Sequence, residues 1–191
     1  MLIKNWKKEI LTIPNMLSIF RIALIPVYLH IYLNADSPDD YTAAAVILAV
    51  SCLTDMVDGK IARKFNMVSN LGKLLDPVAD KLTQLALMIC LSLQHRALRF
   101  LLMVFLIKEF FQFFAMIASL RQGKALDGAL MTGKISTTVL FGSLTLMVLC
   151  PNLQEKTVNI LAGVSLVFLL LAFADYVRAY FGKNKKIYDL E

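Results

Sequence analysis

The sequence predicts an all-α integral membrane protein with six transmembrane helices and a short N-terminal interfacial helix. Of its 191 residues, 58% are hydrophobic, and the mean hydropathy is +0.66. The apolar residues occur in runs close to the roughly 20 residues that a helix needs to cross a bilayer. Short polar or basic segments separate these runs. The chain is therefore too apolar for an ordinary soluble domain, and residues 1–191 are predicted to form one membrane domain.

Residues 1–12 are predicted to form a helix that lies in the lipid headgroup layer. The apolar side chains fall towards one face and the basic ones towards the other: Leu2, Ile3, Trp6 and Ile10 against Lys4, Lys7 and Lys8. This separation is typical of interfacial helices, and Trp favours the membrane interface. A frayed basic tail is the alternative. The apolar run that follows is too long for a cleaved signal peptide, so we expect it to be retained as the first span.

The six-helix bundle is predicted within residues 14–182, and a basic, solvated tail follows at 183–191. Pro14 suits a helix start, where its missing N–H costs least. The turn between the last two spans is marked by Pro151 and Asn152. The spans are expected at about Pro14–Leu33, Tyr41–Val57, Leu74–Leu93, Leu98–Leu120, Ile135–Leu149 and Val158–Tyr180.

The distribution of charge predicts the topology. Under this arrangement most Lys and Arg residues fall on the side of the two termini, and only Arg96, Arg99 and Lys156 fall opposite. Cytoplasmic loops carry the excess of basic residues. We therefore expect a multi-pass protein of the cell membrane, with both termini cytoplasmic. The net charge of +6 then reflects topology and anionic lipid, since no basic stripe with interleaved aromatics indicates nucleic acid.

Four carboxylates lie where the surrounding sequence is apolar. Asp55 and Asp58 end the predicted second span, and Asp76 and Asp80 lie in the first turns of the third. Separations of three and four residues put each pair on one helical face. A carboxylate in hydrocarbon costs several kcal/mol, which indicates a functional site with a partner cation. We expect this site at the cytoplasmic face.

The donor types indicate which cation these carboxylates would hold. Oxygen-only ligands suit the hard cations Mg²⁺ and Mn²⁺, and four carboxylates can hold two such ions. The cysteines and histidines show no metal-ligand spacing and no disulfide framework: Cys52, Cys90, Cys150, His30 and His95. The sequence therefore predicts a two-metal site of the kind that serves phosphoryl transfer.

The carboxylates belong to a longer pattern. The run is Asp55-x-x-Asp58-Gly59-x-x-Ala62-Arg63, eight residues, and then Gly72-x-x-x-Asp76-x-x-x-Asp80. It resembles the signature of the CDP-alcohol phosphatidyltransferases, with every fixed position filled. The resemblance implies metal-dependent transfer of a phosphatidyl group from CDP-diacylglycerol to an alcohol, with release of CMP. It also implies a homodimer, although no GxxxG face locates an interface.

The resemblance assigns roles to the motif residues. The metal ligands would be Asp55, Asp58, Asp76 and Asp80, and the general base would be Asp80. The residues bordering the CDP moiety would be Gly59, Ala62, Arg63 and Gly72. For Gly72, helix packing is an equal alternative. The pattern Pro14-Asn15-x-Leu17-Ser18-x-x-Arg21 is similar to the family's first helix. Arg21 could therefore lie near the headgroup site, or it could simply snorkel to the interface.

The acceptor is predicted from the third span. The segment Gly72–Lys81 most resembles the phosphatidylglycerophosphate synthase branch, whose acceptor is glycerol 3-phosphate. Its phosphate needs cations, and the candidates are Lys81, Arg121 and Lys134. The run Gly133-Lys134-x-Ser136-Thr137 is similar to that branch's Gly-Lys-x-x-Thr segment.

The fourth span departs from that branch. Lys108 precedes Glu109 where the branch usually has Arg, and Met116 lies about where another Arg is common. Weaker phosphate binding would follow, so phosphatidylglycerol, giving cardiolipin, and inositol phosphate stay open as acceptors. As sequence neighbours, Lys108 and Glu109 are expected not to face each other, whereas Glu109 and Gln112 share a face and predict a polar contact to another span.

A divalent-cation transporter is the alternative from another functional class. Carboxylates near one membrane face could bind a cation for transport. A transporter would need polar groups that continue across several spans, but the outer halves of these spans are almost purely Leu, Ile, Val, Met and Phe. Transport would also not require small residues and an arginine at fixed offsets from the carboxylates.

Overall fold

The structure is a computed structural model, and it describes residues 12–64, 72–121, 124–126, 130–181 and 187–189. In these residues six helices and two three-residue strands follow one another. The helices are α1 (Ile13–Leu33), α2 (Pro38–Lys64), α3 (Gly72–Gln94), α4 (Arg96–Arg121), α5 (Met131–Leu149) and α6 (Glu155–Phe181). The strands are β1 (Lys124–Leu126) and β2 (Ile187–Asp189).

Each predicted span lies within one helix, and several helices are longer than predicted. Helix α2 continues through the basic residues Lys60, Arg63 and Lys64, which the sequence had placed in a turn. Lys, Arg and Ala are strong helix formers, so this charged segment extends the helix beyond its apolar part. Helix α5 begins at Met131, before the predicted start at Ile135.

Within the described residues, four helices are long and apolar enough to cross a membrane: the segments are Asn15–Leu33, Arg96–Ser119, Met131–Leu149 and Glu155–Phe181. In α2 the apolar stretch is shorter, at Asp40–Thr54. Helix α3 carries charged residues in its first turns. Both helices hold the charged motif, which dilutes their apolar character. Six membrane-crossing helices therefore stay a prediction.

The chain forms two compact units, and the first contains α1, α2 and α3 as far as Cys90, together with residues 148–151. Helix α1 packs along α2 in this unit. Tyr32 of α1 meets Tyr41 of α2 edge to face, with ring centroids 5.3 Å apart. Leu48 and Leu87 are buried on α2 and α3. Apolar packing thus fixes the helices that carry the motif.

The second unit contains α4, β1, α5 as far as Met147, α6 and β2. Helix α4 packs along α6, where Phe111 and Phe173 meet edge to face with ring centroids 5.1 Å apart. Near the ends of these helices Ala115, Tyr176 and Tyr180 form a buried cluster. This packing positions the polar residues of α4 against α6.

The strands β1 and β2 pair antiparallel, with Lys124 opposite Asp189 and Leu126 opposite Ile187. Neither strand was predicted, since these residues were expected in the loop after the fourth span and in the basic tail. Three residues are too few to show the alternation that identifies a strand. The interfacial helix predicted at residues 1–12 lies almost entirely outside the described residues, and one domain over 1–191 stays a prediction.

A capping box starts α2. The Ser37 backbone N–H and hydroxyl donate to Asp40 Oδ2 at 3.0 and 2.8 Å, and the Asp36 N–H donates to it at 3.2 Å. In return the Asp40 N–H donates to Ser37 Oγ at 3.4 Å. This reciprocal pattern satisfies N–H groups that a helix start leaves without intrahelical partners. It fixes the entry of the chain into the helix that carries Asp55 and Asp58.

Acid is expected to loosen this start of α2. The hydrogen bond from the Ser37 hydroxyl, with those from the backbone of Ser37 and Asp36, lowers the pKa of Asp40 below its ordinary value of 3.8. A lowered folded-state pKa stabilises the cap above the unfolded pKa, and this contribution is lost as pH falls through the folded pKa. The protection of the amides at residues 36–41, measured relative to their intrinsic exchange rates, should therefore fall below about pH 4. In Asp40→Asn this protection should already be low at neutral pH and show no such transition, whereas an unchanged profile would contradict the cap.

Candidate active site

The first unit brings two motif carboxylates against α1. The Ser18 hydroxyl donates to Asp76 Oδ1 at 2.5 Å, and Arg21 Nη1 donates to Asp80 Oδ1 at 2.6 Å. Ser18 and Arg21 lie about one turn apart on α1, and Asp76 and Asp80 lie about one turn apart on α3. Two successive turns of α1 therefore match two successive turns of α3. These contacts hold both carboxylates in defined orientations.

In these two contacts the residues of α1 are buried, whereas the carboxylates of α3 are not. Asn15, Ser18 and Arg21 are 1%, 0% and 2% exposed, whereas the Asp80 side chain is 49% exposed. Burial at this level excludes the snorkelling alternative for Arg21. A buried guanidinium has little conformational freedom, so it fixes the direction of the carboxylate it binds. Asp80 is therefore anchored from inside the unit while part of its surface stays accessible.

The α2 half of the motif is placed only along the backbone. The residues concerned lie in the last turns of α2: Asp55, Asp58, Gly59, Ala62 and Arg63. Their side chains lie outside the described residues, so the predicted four-carboxylate cluster stays a prediction. Among the described side chains, no three His, Cys, Asp or Glu residues form a metal-binding group. Asp76 and Asp80 supply a pair of oxygen donors, and this donor type fits Mg²⁺ or Mn²⁺.

The remaining predicted residues lie in both units. Gly72 is buried at the first position of α3, and Lys81 is exposed directly after Asp80. Arg121 ends α4 and Lys134 lies in the first turn of α5, both exposed and both in the second unit. Lys81 is therefore the predicted acceptor cation that shares a helix with the described carboxylates.

A second polar cluster lies between α4 and α6. Lys108 is 5% exposed, and its Nζ lies 2.6 Å from Glu109 Oε1 and 5.6 Å from the centroid of the Tyr176 ring. The expectation that Lys108 and Glu109 do not face each other was wrong, because their long side chains can bend to meet although their Cβ atoms diverge. The predicted polar contact of Glu109 or Gln112 with another span stays a prediction, whereas the neighbouring Lys108 contacts the Tyr176 ring of α6.

Sequence reasoning gave no partner to Ser18 and missed Tyr176 altogether. A signal existed for Ser18: it lies three residues before Arg21, and the carboxylates on α3 lie four apart. Two polar pairs at one-turn spacing in neighbouring spans predict contacts in register. Tyr176 gave no such signal, because an aromatic residue in an apolar helix is ordinarily interpreted as a residue that packs in the core. The predicted pair of Asp175 and Arg178 is present at 3.9 Å on an exposed surface.

Comparison with known proteins gives one family. The family model described as CDP-alcohol phosphatidyltransferase matches residues 11–175. This range contains α2 and α3 entire, and with them every residue of the motif. It also contains Ser18 and Arg21, which bind the two carboxylates of α3.

Individual relatives match parts of the chain. A cardiolipin synthase (CMP-forming) from Streptomyces coelicolor is 39% identical over 103 residues, or 53% of this chain and 48% of the relative. A CDP-diacylglycerol--glycerol-3-phosphate 3-phosphatidyltransferase from Bacillus subtilis is 37% identical over 109 residues, or 51% and 56%. An enzyme of that name from Rickettsia bellii is 49% identical over 71 residues, or 37% and 38%. The chain thus spans about half the length of the first two relatives and less of the third.

Proposed function

The chain belongs to the CDP-alcohol phosphatidyltransferase family, and from this premise we propose that it transfers a phosphatidyl group from CDP-diacylglycerol to glycerol 3-phosphate. The products are phosphatidylglycerophosphate and CMP. The observation that carries the proposal is the anchoring of Asp76 and Asp80 by Ser18 and Arg21. Carboxylates in an otherwise apolar bundle lower its stability, so their presence there indicates a functional site.

In the proposed reaction the acceptor hydroxyl attacks the β-phosphorus of CDP-diacylglycerol. A phosphodiester bond forms, the bond to the CMP oxygen breaks, and Asp80 takes the hydroxyl proton. A positioned base of this kind contributes about 10²- to 10⁴-fold to a rate. Arg21 donates a charge-assisted hydrogen bond to Asp80 Oδ1 and fixes the direction of this carboxylate. The partial exposure of Asp80 leaves room for the acceptor.

Asp55, Asp58, Asp76 and Asp80 would hold Mg²⁺ or Mn²⁺, which supplies positive charge against the diphosphate and the departing phosphate. Ser18 restrains Asp76 by one hydrogen bond, so this carboxylate is oriented from α1. Carboxylate oxygens held in this way lose less freedom when they bind a cation. The proposed ligands therefore come from the cytoplasmic end of α2 and the first turns of α3.

The CDP moiety is assigned to the small residues and the arginine of the motif. Gly59, Ala62 and Gly72 have little or no side chain, so a nucleotide can approach the backbone closely. Arg63 can bind a phosphate through two parallel hydrogen bonds. The diacyl chains would stay in the bilayer. This division suits an enzyme that joins a lipid donor to a water-soluble acceptor, with the site and both termini on the cytoplasmic side.

Glycerol 3-phosphate is the acceptor favoured by two observations. The relatives from Bacillus subtilis and Rickettsia bellii carry the name of a glycerol-3-phosphate phosphatidyltransferase. The candidate cations for its phosphate are Lys81, Arg121 and Lys134, each of which is exposed. A dianionic phosphate needs such cations to leave water.

Cardiolipin formation is the second candidate, with phosphatidylglycerol as the acceptor. The relative from Streptomyces coelicolor is named a cardiolipin synthase (CMP-forming). In addition, Lys108 and Met116 depart from the arginines of the glycerol-3-phosphate branch. A phosphodiester acceptor carries less charge than a phosphate monoester and needs fewer cations.

CMP release from CDP-diacylglycerol tests this proposal. The purified full chain is incubated in detergent micelles with Mg²⁺, and glycerol 3-phosphate, phosphatidylglycerol, inositol phosphate and serine are compared as acceptors. We expect release with glycerol 3-phosphate, its loss on chelation with EDTA, and its return with excess Mg²⁺. Release with phosphatidylglycerol and with no other acceptor would show that phosphatidylglycerol, and not glycerol 3-phosphate, is the acceptor. No release with any acceptor, from folded protein that binds Mg²⁺, would contradict the proposed function and favour another CDP-linked donor or cation transport.

A further inference from the structure

Tyr176 of α6 meets the start of α5 in the second unit. It is 3% exposed, and Leu130, which immediately precedes α5, packs against the buried cluster that Tyr176 forms with Ala115 and Tyr180. A Cβ atom built at Gly133 would lie 2.7 Å from the Tyr176 hydroxyl oxygen and 3.0 Å from a ring carbon. Only glycine allows this approach without a shift of the tyrosine. The first turn of α5 is thus packed directly on the Tyr176 hydroxyl.

Helix α4 holds the same tyrosine from another direction. Phe111 packs against the buried cluster that contains Tyr176, and Lys108 Nζ lies 5.6 Å from the centroid of the Tyr176 ring. A cation at this distance over an aromatic ring is attracted by the ring electrons. Lys108 is itself fixed by Glu109 at 2.6 Å. The position of the tyrosine ring is therefore set by α4, and the ring in turn contacts α5.

The turn that Tyr176 contacts is the one that presents Lys134. The Lys134 N–H donates to the Leu130 carbonyl at 3.1 Å, and Thr137 Oγ1 donates to the Gly133 carbonyl at 2.8 Å. Leu130 packs against the tyrosine's cluster and Gly133 against its hydroxyl, and Lys134 follows Gly133 directly. A displacement of the tyrosine must therefore move the backbone from which the exposed Lys134 side chain extends.

We propose that Tyr176 is a positioning residue for the acceptor: it fixes the first turn of α5 and thereby directs Lys134 towards the acceptor phosphate. The proposal rests on the proposed function and deepens it, because it names what orients one of the acceptor-binding cations. Tyr176 touches neither substrate in this arrangement. It acts through Lys134, and its loss should change acceptor binding and leave the CDP-diacylglycerol site unaffected.

Tyr176→Phe isolates the hydroxyl, since the ring and its packing stay. Because the lost hydroxyl packs on Gly133, we expect the KM for glycerol 3-phosphate to rise by about 2- to 12-fold, the scale of one lost polar contact. The KM for CDP-diacylglycerol should be unchanged. Tyr180→Phe is the matched control, because it makes the same substitution one turn further along α6 at a buried tyrosine. It should change neither constant.

Gly133→Ala tests the close approach from the other side. Its methyl group must displace the Tyr176 hydroxyl, so we expect a larger rise in acceptor KM than in Tyr176→Phe. In the double variant the obstructing oxygen is absent, and part of the loss should be recovered. Additive losses would show that the two residues act separately and would overturn the proposed contact.

Hydrogen–deuterium exchange at residues 130–137 provides a measurement that does not need activity. Exchange should be faster in Tyr176→Phe than in the wild type and in Tyr180→Phe. Unchanged exchange would overturn the proposal whatever the kinetics show, and faster exchange with an unchanged acceptor KM would overturn the link to the acceptor. A wild type that releases no CMP with any acceptor would instead overturn the proposed function, and with it the acceptor role of Tyr176.

Discussion

Asp80→Asn should reduce phosphatidyl transfer by at least about 100-fold, the lower end of what a positioned general base contributes. The amide cannot take the proton of the attacking hydroxyl, and it is a poorer ligand for a hard cation than a carboxylate. Asn keeps the shape of Asp and an oxygen that can accept the bond from Arg21. Folding should therefore be nearly intact. CMP release, followed together with thermal unfolding of the purified protein, measures both effects.

The control for this substitution is Asp36→Asn, which removes a carboxylate from the exposed connector before α2. It should retain wild-type turnover. If Asp80→Asn kept more than a tenth of wild-type turnover, Asp80 would not be the base. A large fall in its unfolding temperature would assign the carboxylate a structural role through its ion pair with Arg21.

The helices could be predicted from the sequence because the apolar runs have the length of a membrane span. Their ends could not, because the motif helices are polar where they leave the apolar region. Helix α2 continues to Lys64 through residues that resemble a cytoplasmic turn. Hydropathy reports transfer into lipid, whereas helix formation also depends on intrinsic propensity. The two criteria diverge where charged residues such as Lys60 and Arg63 follow a span.

The carboxylates of the candidate site could be predicted because their cost in lipid and their spacing identify them. The residues that hold these carboxylates and the neighbouring helices in place were harder to predict. The sequence left two roles open for Arg21, one near the headgroup site and one at the membrane interface. Only its burial and its 2.6 Å contact with Asp80 distinguish them. Tyr176 could not be predicted as a support for α5, because its role depends on the absence of a side chain at Gly133. Close approaches between distant segments leave no periodic signal in a sequence.

Arg21→Met should lower kcat by about 10- to 150-fold, because hydrogen bonds to charged groups are worth about 1.5–3 kcal/mol and about 1.4 kcal/mol is tenfold. Met fills much of the buried space of Arg without its charge. Asp80 would then lose the donor that fixes its direction, while its 49% exposed side chain could still be solvated. Arg21→Lys keeps the charge without the planar fork and should recover part of the rate. Arg99→Met, at an exposed arginine outside the predicted site, should have no effect.

A double variant distinguishes positioning of the base from general destabilisation. If Arg21 acts on the reaction through Asp80, Arg21→Met/Asp80→Asn should be no slower than Asp80→Asn alone, because the base it orients is already absent. Independent roles would instead multiply the two losses. Turnover and thermal unfolding of both single variants and the double variant measure this difference. Multiplied losses without a change in stability would mean that Arg21 contributes to catalysis by a route that does not pass through Asp80, and this would contradict the role assigned to the ion pair.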